Sequence, residues 1–125
     1  MKNLRFALIG LAALAGLALA PAAAHAECTV GSCWGAVAYG PGGAWAYAVN
    51  HPTRETASAA AQSECKGSCT HVLTFQNSCG AYATGPEGYG WGNAGDREGA
   101  EERALAECNA RSSACAVRVW GCTSR

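Results

Sequence analysis

Eight cysteines carry most of the reactive chemistry in this chain: Cys28, Cys33, Cys65, Cys69, Cys79, Cys108, Cys115 and Cys122. Cysteines hold zinc, exchange disulfides or close structural cross-links. Cys65-x3-Cys69 and Cys28-x4-Cys33 come near the spacing of zinc knuckles. The even count, the export signal described below and the absence of a tight Cys-x2-Cys pair argue for cross-links instead. The same absence leaves thiol-redox catalysis without support. Neither a metal nor a cofactor is expected.

The other candidates for catalysis are few. Beyond the leader there are two histidines, His51 and His71. His51 precedes a helix start in "NHPT" and reads as a turn or capping residue. His71 opens an apolar run. Neither has the paired acidic motif of a triad or a metal site, and G-x-S-x-G and H-E-x-x-H are absent. Glu98, Glu101 and Glu102 are interleaved with Arg97 and Arg103. That pattern is a solvated helix face rather than two acids facing one cleft. No catalytic residue is expected, and a small secreted hydrolase stands third behind two binding readings.

Lys2 and Arg5, the apolar stretch "FALIGLAALAGLALA" and "AHA" at 24–26 make a secretory signal peptide over residues 1–26, cut after Ala26. The product, residues 27–125, is one domain of an exported protein, periplasmic or secreted. It keeps seven basic and nine acidic residues. No basic stripe is present for nucleic acid or an anionic membrane, and no second apolar run spans a bilayer. The partner expected is a protein or a glycan, bound by a monomer.

The chain repeats itself. Gly35-Ala36 matches Gly80-Ala81 and Gly40-Pro41 matches Gly85-Pro86, both at an offset of 45. "TRETASAAAQSEC" lies over "DREGAEERALAEC" at an offset of 43. Repeat one covers about residues 34–78 and repeat two about 79–122. In each, a short strand, a Gly-Pro hairpin and an alternating strand precede a helix capped by Thr53 or Asp96, and a further strand follows. The prediction is an α+β fold of two tandem ββαβ repeats. They form a largely antiparallel sheet of about six strands with two Ala-rich helices packed on it, and disulfides staple the whole. Equivalent positions should make equivalent bonds, which gives Cys65–Cys69 and Cys108–Cys115. Cys79–Cys122 then joins the two copies, and Cys28–Cys33 closes an N-terminal loop.

The Gly-Pro loops are hairpin tips, since a strand rather than a helix follows each; a phosphate cradle needs the helix. Gly40-Pro41-Gly42-Gly43 suits a type II turn, whereas Glu87 in Gly85-Pro86-Glu87-Gly88 suits type I.

The motifs "WGAVAYGPGGAWAYAVNHPTRETASAAAQSEC", "CGAYATGPEGYGWG" and "REGAEERALAEC…CAVRVWGC" resemble the small secreted bacterial family known as domain of unknown function 4189, from Trp34 to Cys122. The resemblance implies export and a compact disulfide-bonded domain, and it brings no catalytic residues. The tandem plan is also similar to β-lactamase-inhibitor-like folds, which bind proteins through a sheet face and protruding hairpins.

The aromatics complete the reading. Trp45, Tyr47 and Val49 alternate with Ala44, Ala46 and Ala48, which leaves open the face the helices cover. If it is the Ala face, Trp45 and Tyr47 form an interaction surface. With Glu87, Tyr89 and Trp91 at the second tip, they are the candidate partner-binding residues. Two functions follow: a secreted protein-binding or inhibitory module, or an envelope-associated domain that stacks glycan or peptidoglycan on its aromatics.

Overall fold

The structure, a computed structural model, describes Cys28 and residues 31–125; the expected signal peptide, residues 1–26, lies outside them. The first ββαβ unit is β1 (Trp34–Tyr39), one 3-10 turn (Pro41–Gly43), β2 (Trp45–His51), α1 (Arg54–Glu64) and β3 (His71–Gln76). The second is β4 (Cys79–Gly85), β5 (Gly88–Ala94), α2 (Arg97–Asn109) and β6 (Ala116–Cys122). The helices start where their caps dictate. Thr53 Oγ1 accepts from Thr56 N–H at 3.1 Å, and Asp96 Oδ1 accepts from Gly99 N–H at 2.7 Å.

The six antiparallel strands do not join in the single sheet expected from the sequence; they divide into two three-stranded sheets, β2-β1-β3 and β5-β4-β6. In each unit the first strand is central, flanked by its hairpin partner and by the strand that returns after the helix. Each unit therefore closes its own sheet, and the sheets stack face to face.

The period-two pattern decides the layers. Ala36, Ala38 and Ala46 pack on Ala57 and Ala61 of α1. Ala81 and Ala83 pack on Ala100, Ala104 and Cys108 of α2. The opposite faces carry the large side chains: Val37, Tyr39, Phe75, Tyr82 and Val119 are buried between the sheets. The helices thus cover the Ala faces, and the order of layers is α1, first sheet, second sheet, α2. An Ala interface removes little apolar area from water, so at roughly 25 cal/mol per Å² the sheet–sheet layer carries most of the hydrophobic stabilisation.

Small side chains also let α2 lie close on β5. A Cβ on Gly90 would stand 2.6 Å from Ala104 O, and one on Gly92 would stand 2.7 Å from Ala100 O. With Gly88, Gly90 and Gly92 alternating along β5, Tyr89 and Trp91 are left to point the other way, toward the first sheet. At the start of each helix an arginine stacks on a tryptophan of its own unit. The Arg54 guanidinium is 4.9 Å from the Trp34 ring centre and that of Arg97 is 3.9 Å from Trp120.

Cys65–Cys69 and Cys108–Cys115 close the turns after the two helices, and Cys28–Cys33 closes the loop before β1. Cys79–Cys122 differs from the sequence expectation in one respect. It links directly paired positions of β4 and β6, so it lies within the second unit instead of joining the two. Cys79 opens β4; it does not close β3.

Candidate functional site

The five residues singled out in the sequence do not form one patch. Trp45 and Tyr47 lie on β2, an edge strand of the first sheet, beside β6. Tyr89 and Trp91 lie on β5, the edge of the second sheet opposite β6. The two pairs therefore stand on opposite flanks of the sandwich. All four rings are exposed, at 49% for Trp45 and Tyr47, 37% for Tyr89 and 41% for Trp91.

Glu87 is turned back onto the protein. Its Oε2 accepts from Ser113 N–H at 2.9 Å and from the Ser112 hydroxyl at 2.9 Å, while its own N–H donates to Ser112 Oγ. These bonds tie the β4–β5 tip to the loop after α2. The Ser113 N–H first, and then the Ser112 hydroxyl, hold the Glu87 carboxyl below its ordinary range.

The β3/β5 flank gathers more than Tyr89 and Trp91. Tyr39, at the end of β1, is 2% exposed. Its ring is stacked on Tyr82 at 4.3 Å on one side and on His71 at 5.0 Å on the other. Tyr89 and Trp91 lie tilted against the same ring at 5.0 and 5.6 Å. Offset and tilted pairs at such distances each add about 0.5–1.5 kcal/mol beyond burial. Side-chain parity explains the gathering: Tyr39 follows Gly35 and Val37 on the sheet–sheet face, Tyr82 follows Gly80, and His71 precedes Leu73 and Phe75.

Above this column is a cleft of about 290 Å³. One wall is the first Gly-Pro tip, Gly40 to Gly43, and the other is the base of the second, Gly85 and Gly88. The first tip is closed by a bond from Gly40 N–H to Ala44 O at 2.9 Å. Gly42 has φ 76° and ψ 14°, the left-handed geometry of the third position of a type II turn. Two hairpin tips 45 residues apart in sequence thus border one cavity.

The floor of this cleft has an unusual polar group. The Tyr39 hydroxyl is buried and makes no hydrogen bond of ordinary geometry; the Tyr89 phenol is its polar neighbour. Burial first, then the adjoining Tyr89 phenol, through both its charge and its contact with the Tyr39 hydroxyl, and then the Tyr82 phenol push its pKa well above the usual tyrosine value. At neutral pH it is a protonated donor, unsuited to act as a base or nucleophile. Nearer the rim, Thr70 Oγ1 and His71 Nδ1 are hydrogen-bonded at 2.9 Å. Among the described residues no group of three or more His, Cys, Asp or Glu is placed to hold a metal, and no helix is long and apolar enough to cross a membrane. The arrangement offers stacking surfaces and hydroxyl donors.

Trp45 and Tyr47 border a separate groove of about 390 Å³ with Val49 and β6. Sequence reasoning missed Tyr39, His71 and Tyr82. The alternation of β1 places Tyr39 opposite the Ala face, but the stacking of β5 over β1 and β3 is a long-range arrangement that no local pattern encodes.

The model of a family described as a domain of unknown function, DUF4189, matches residues 34–122. Among solved structures the chain is similar to the NMR structure of Rv1813c from Mycobacterium tuberculosis. The identity is 26% and the TM-score 0.60, over 98% of this chain and 95% of that one. None of the curated proteins matches the chain.

Proposed function

The chain belongs to the family of the domain of unknown function DUF4189, and we propose that this member is an exported, non-enzymatic binding or inhibitory module that takes a segment of a protein partner into the aromatic cleft. One observation carries the reading: a cleft between two hairpin tips without a charged side chain, floored by a buried tyrosine hydroxyl that makes no hydrogen bond of ordinary geometry. A buried polar group without a partner costs stability, and such groups concentrate where a ligand completes them. The four cross-links suit an oxidising compartment and hold a domain with thin Ala interfaces together.

Panning a random peptide library on the oxidised protein tests this. Enriched peptides should bind the wild type and weaken by about tenfold or more with Tyr89→Ala or Trp91→Ala, the effect of losing one central aromatic anchor. Enriched peptides indifferent to both substitutions contradict the assignment.

A second reading rests on the opposite flank. Trp45 and Tyr47 are alternate residues of an edge strand and both rings are half-exposed, which suits stacking of a glycan. Co-sedimentation with insoluble peptidoglycan that is lost in Trp45→Ala would support it; absence of sedimentation removes it.

A further inference from the structure

Four strands stand at the edges of the two sheets: β2, β3, β5 and β6. A free edge offers unpaired backbone N–H and C=O groups to another strand, and proteins commonly blunt such edges with bulges. β2 and β6, on the Trp45 flank, each carry a bulge: Trp34 and Ala36 pair with His51 and Ala48, and Tyr82 and Ala83 pair with Val119 and Val117. β3 and β5, on the opposite flank, pair along their whole length without a shift. β5 contains no charged residue and no proline, and among the described residues no strand pairs with its outer edge. A cleft of about 320 Å³ runs along it, lined by Glu87 to Trp91 in unbroken sequence and by Glu107 and Arg111 of α2.

One end of this edge is already engaged: Arg103 Nη1 donates to the Asn93 carbonyl at 2.9 Å. Outward and inward backbone groups alternate along an antiparallel strand. Tyr89 and Trp91 therefore turn their N–H and C=O groups the same way as Asn93, and Gly90 turns its own toward β4.

α2 sets a charged row beside the same edge. A Cβ on Gly92, Gly90 or Gly88 would meet the Cβ of Arg103, Glu107 or Arg111, respectively. All three of these helix residues are exposed. Four helical residues rise about 6.0 Å and two strand residues about 6.8 Å, so the row keeps step with the glycines. Both side chains of the Glu107–Arg111 ion pair are 56% exposed, so the pair holds its charges weakly. Glu87, at the end of the cleft, is held by Ser112 and Ser113. A strand laid along β5 puts every second side chain opposite a glycine, where the row is its neighbour, and the others opposite Tyr89 and Trp91. The complement to Arg103, Glu107 and Arg111 is acid, base, acid at alternate positions, with apolar residues between.

We propose that the outer edge of β5 receives an extended segment of a partner protein with that pattern, which adds a fourth strand to the second sheet. The proposal rests on the reading of this flank as the site of a protein segment. Backbone bonds to Tyr89 and Trp91 supply affinity and the charged row supplies selectivity, the usual division of roles in strand addition. A second copy of this chain does not fit. Antiparallel β5–β5 pairing about Gly90 sets Glu107 against Glu107 and Arg103 against Arg111, which is like charge against like charge throughout.

The test is NMR on the isotope-labelled, oxidised protein with two capped peptides, Ser-Glu-Val-Lys-Val-Glu-Ser and the charge-reversed Ser-Lys-Val-Glu-Val-Lys-Ser. An N-acetylglucosamine hexasaccharide is titrated in parallel. With the first peptide, saturable shifts are expected along β5, with slowed amide exchange at Tyr89 and Trp91 and unchanged exchange at Gly90. Its affinity should exceed that of the second peptide about fivefold, the scale of exposed ion pairs. The triple variant Arg103→Glu, Glu107→Lys, Arg111→Glu keeps the alternation of charge along the helix and should invert the preference. Equal affinities in the wild type, or a preference that the folded variant does not invert, overturn the proposal. Unchanged exchange at Tyr89 and Trp91 at millimolar peptide does the same. Shifts at His71 and Tyr82 without slowed exchange on β5 overturn strand addition and leave the aromatic cleft as the site. Shifts at Tyr89 and Trp91 that grow with protein concentration and need no peptide assign the edge to a second copy instead. Saturable shifts with the saccharide alone overturn both this proposal and the protein-segment reading.

Discussion

Tyr39→Phe removes one oxygen from the floor of the cleft and leaves the ring between Tyr82 and His71. The lost hydroxyl is buried and makes no hydrogen bond. A buried polar group in that state costs about 1–3 kcal/mol, and replacing it by an apolar group of the same shape relieves the cost. Tyr39→Phe should therefore stabilise the free protein by about 1 kcal/mol or more. For a domain of this size that raises the Tm by roughly 4–8 °C per kcal/mol. The assay is thermal and urea unfolding at pH 7 with the disulfides intact. A repeat at alkaline pH gives a second readout. The folded pKa of Tyr39 lies above its ordinary 10.0, so the unfolded state loses this proton first. The associated stability is complete below pH 10 and falls away as the pH rises beyond it. Tyr39→Phe has no such component, so its advantage should widen above pH 10. A loss of 1 kcal/mol or more at pH 7 would show that the hydroxyl has a partner and would refute the reasoning about the cleft floor.

Three further outcomes follow from other parts of the fold. In the chain-entropy treatment the Cys79–Cys122 bond, with a sequence separation of 43, contributes about 4 kcal/mol, against about 2 kcal/mol for Cys65–Cys69, with a separation of 4. Removing the first pair by double serine substitution should lower the urea midpoint more; equal midpoints contradict that order. Gly90→Ala pushes a methyl group into the α2 backbone and should cost about 1–3 kcal/mol as overpacking, read as a lower Tm; an unchanged Tm would mean that α2 is not seated closely on β5. Because the folded Glu87 pKa is depressed, its contribution is present above the ordinary 4.5 and is lost as the pH falls through the lower folded value. Its carboxyl resonance should titrate with a midpoint below 4.5, whereas a midpoint at or above 4.5 would mean that the bonds from Ser112 and Ser113 are absent.

The elements were legible in the sequence because their signals are local. Thr53 and Asp96 mark the helix starts, the alternation of Trp45, Tyr47 and Val49 marks a strand, and Gly40-Pro41 and Gly85-Pro86 mark hairpin tips. The division into two sheets depends on which strands pair after each helix returns, and strand pairing across the chain leaves no periodic trace. The same limit hid the site. Trp45 and Tyr89 have the same kind of alternation, yet the sheet orders put them on opposite flanks. Tyr39 and His71 are 32 positions apart and meet only because β1 pairs with β3. Glu87 looks like an outward charge in a hairpin tip, but Ser112 and Ser113, brought in by the end of α2, turn it inward.

The most direct test of the cleft as the binding site is a set of intermolecular NOEs between a display-selected peptide and the labelled, oxidised protein. The account predicts contacts from the peptide to the side chains of His71, Tyr89 and Trp91, with the backbone of Gly40 to Gly43 at the border. Contacts confined to Trp45 and Tyr47, with no NOE to the Tyr89 ring, would contradict it.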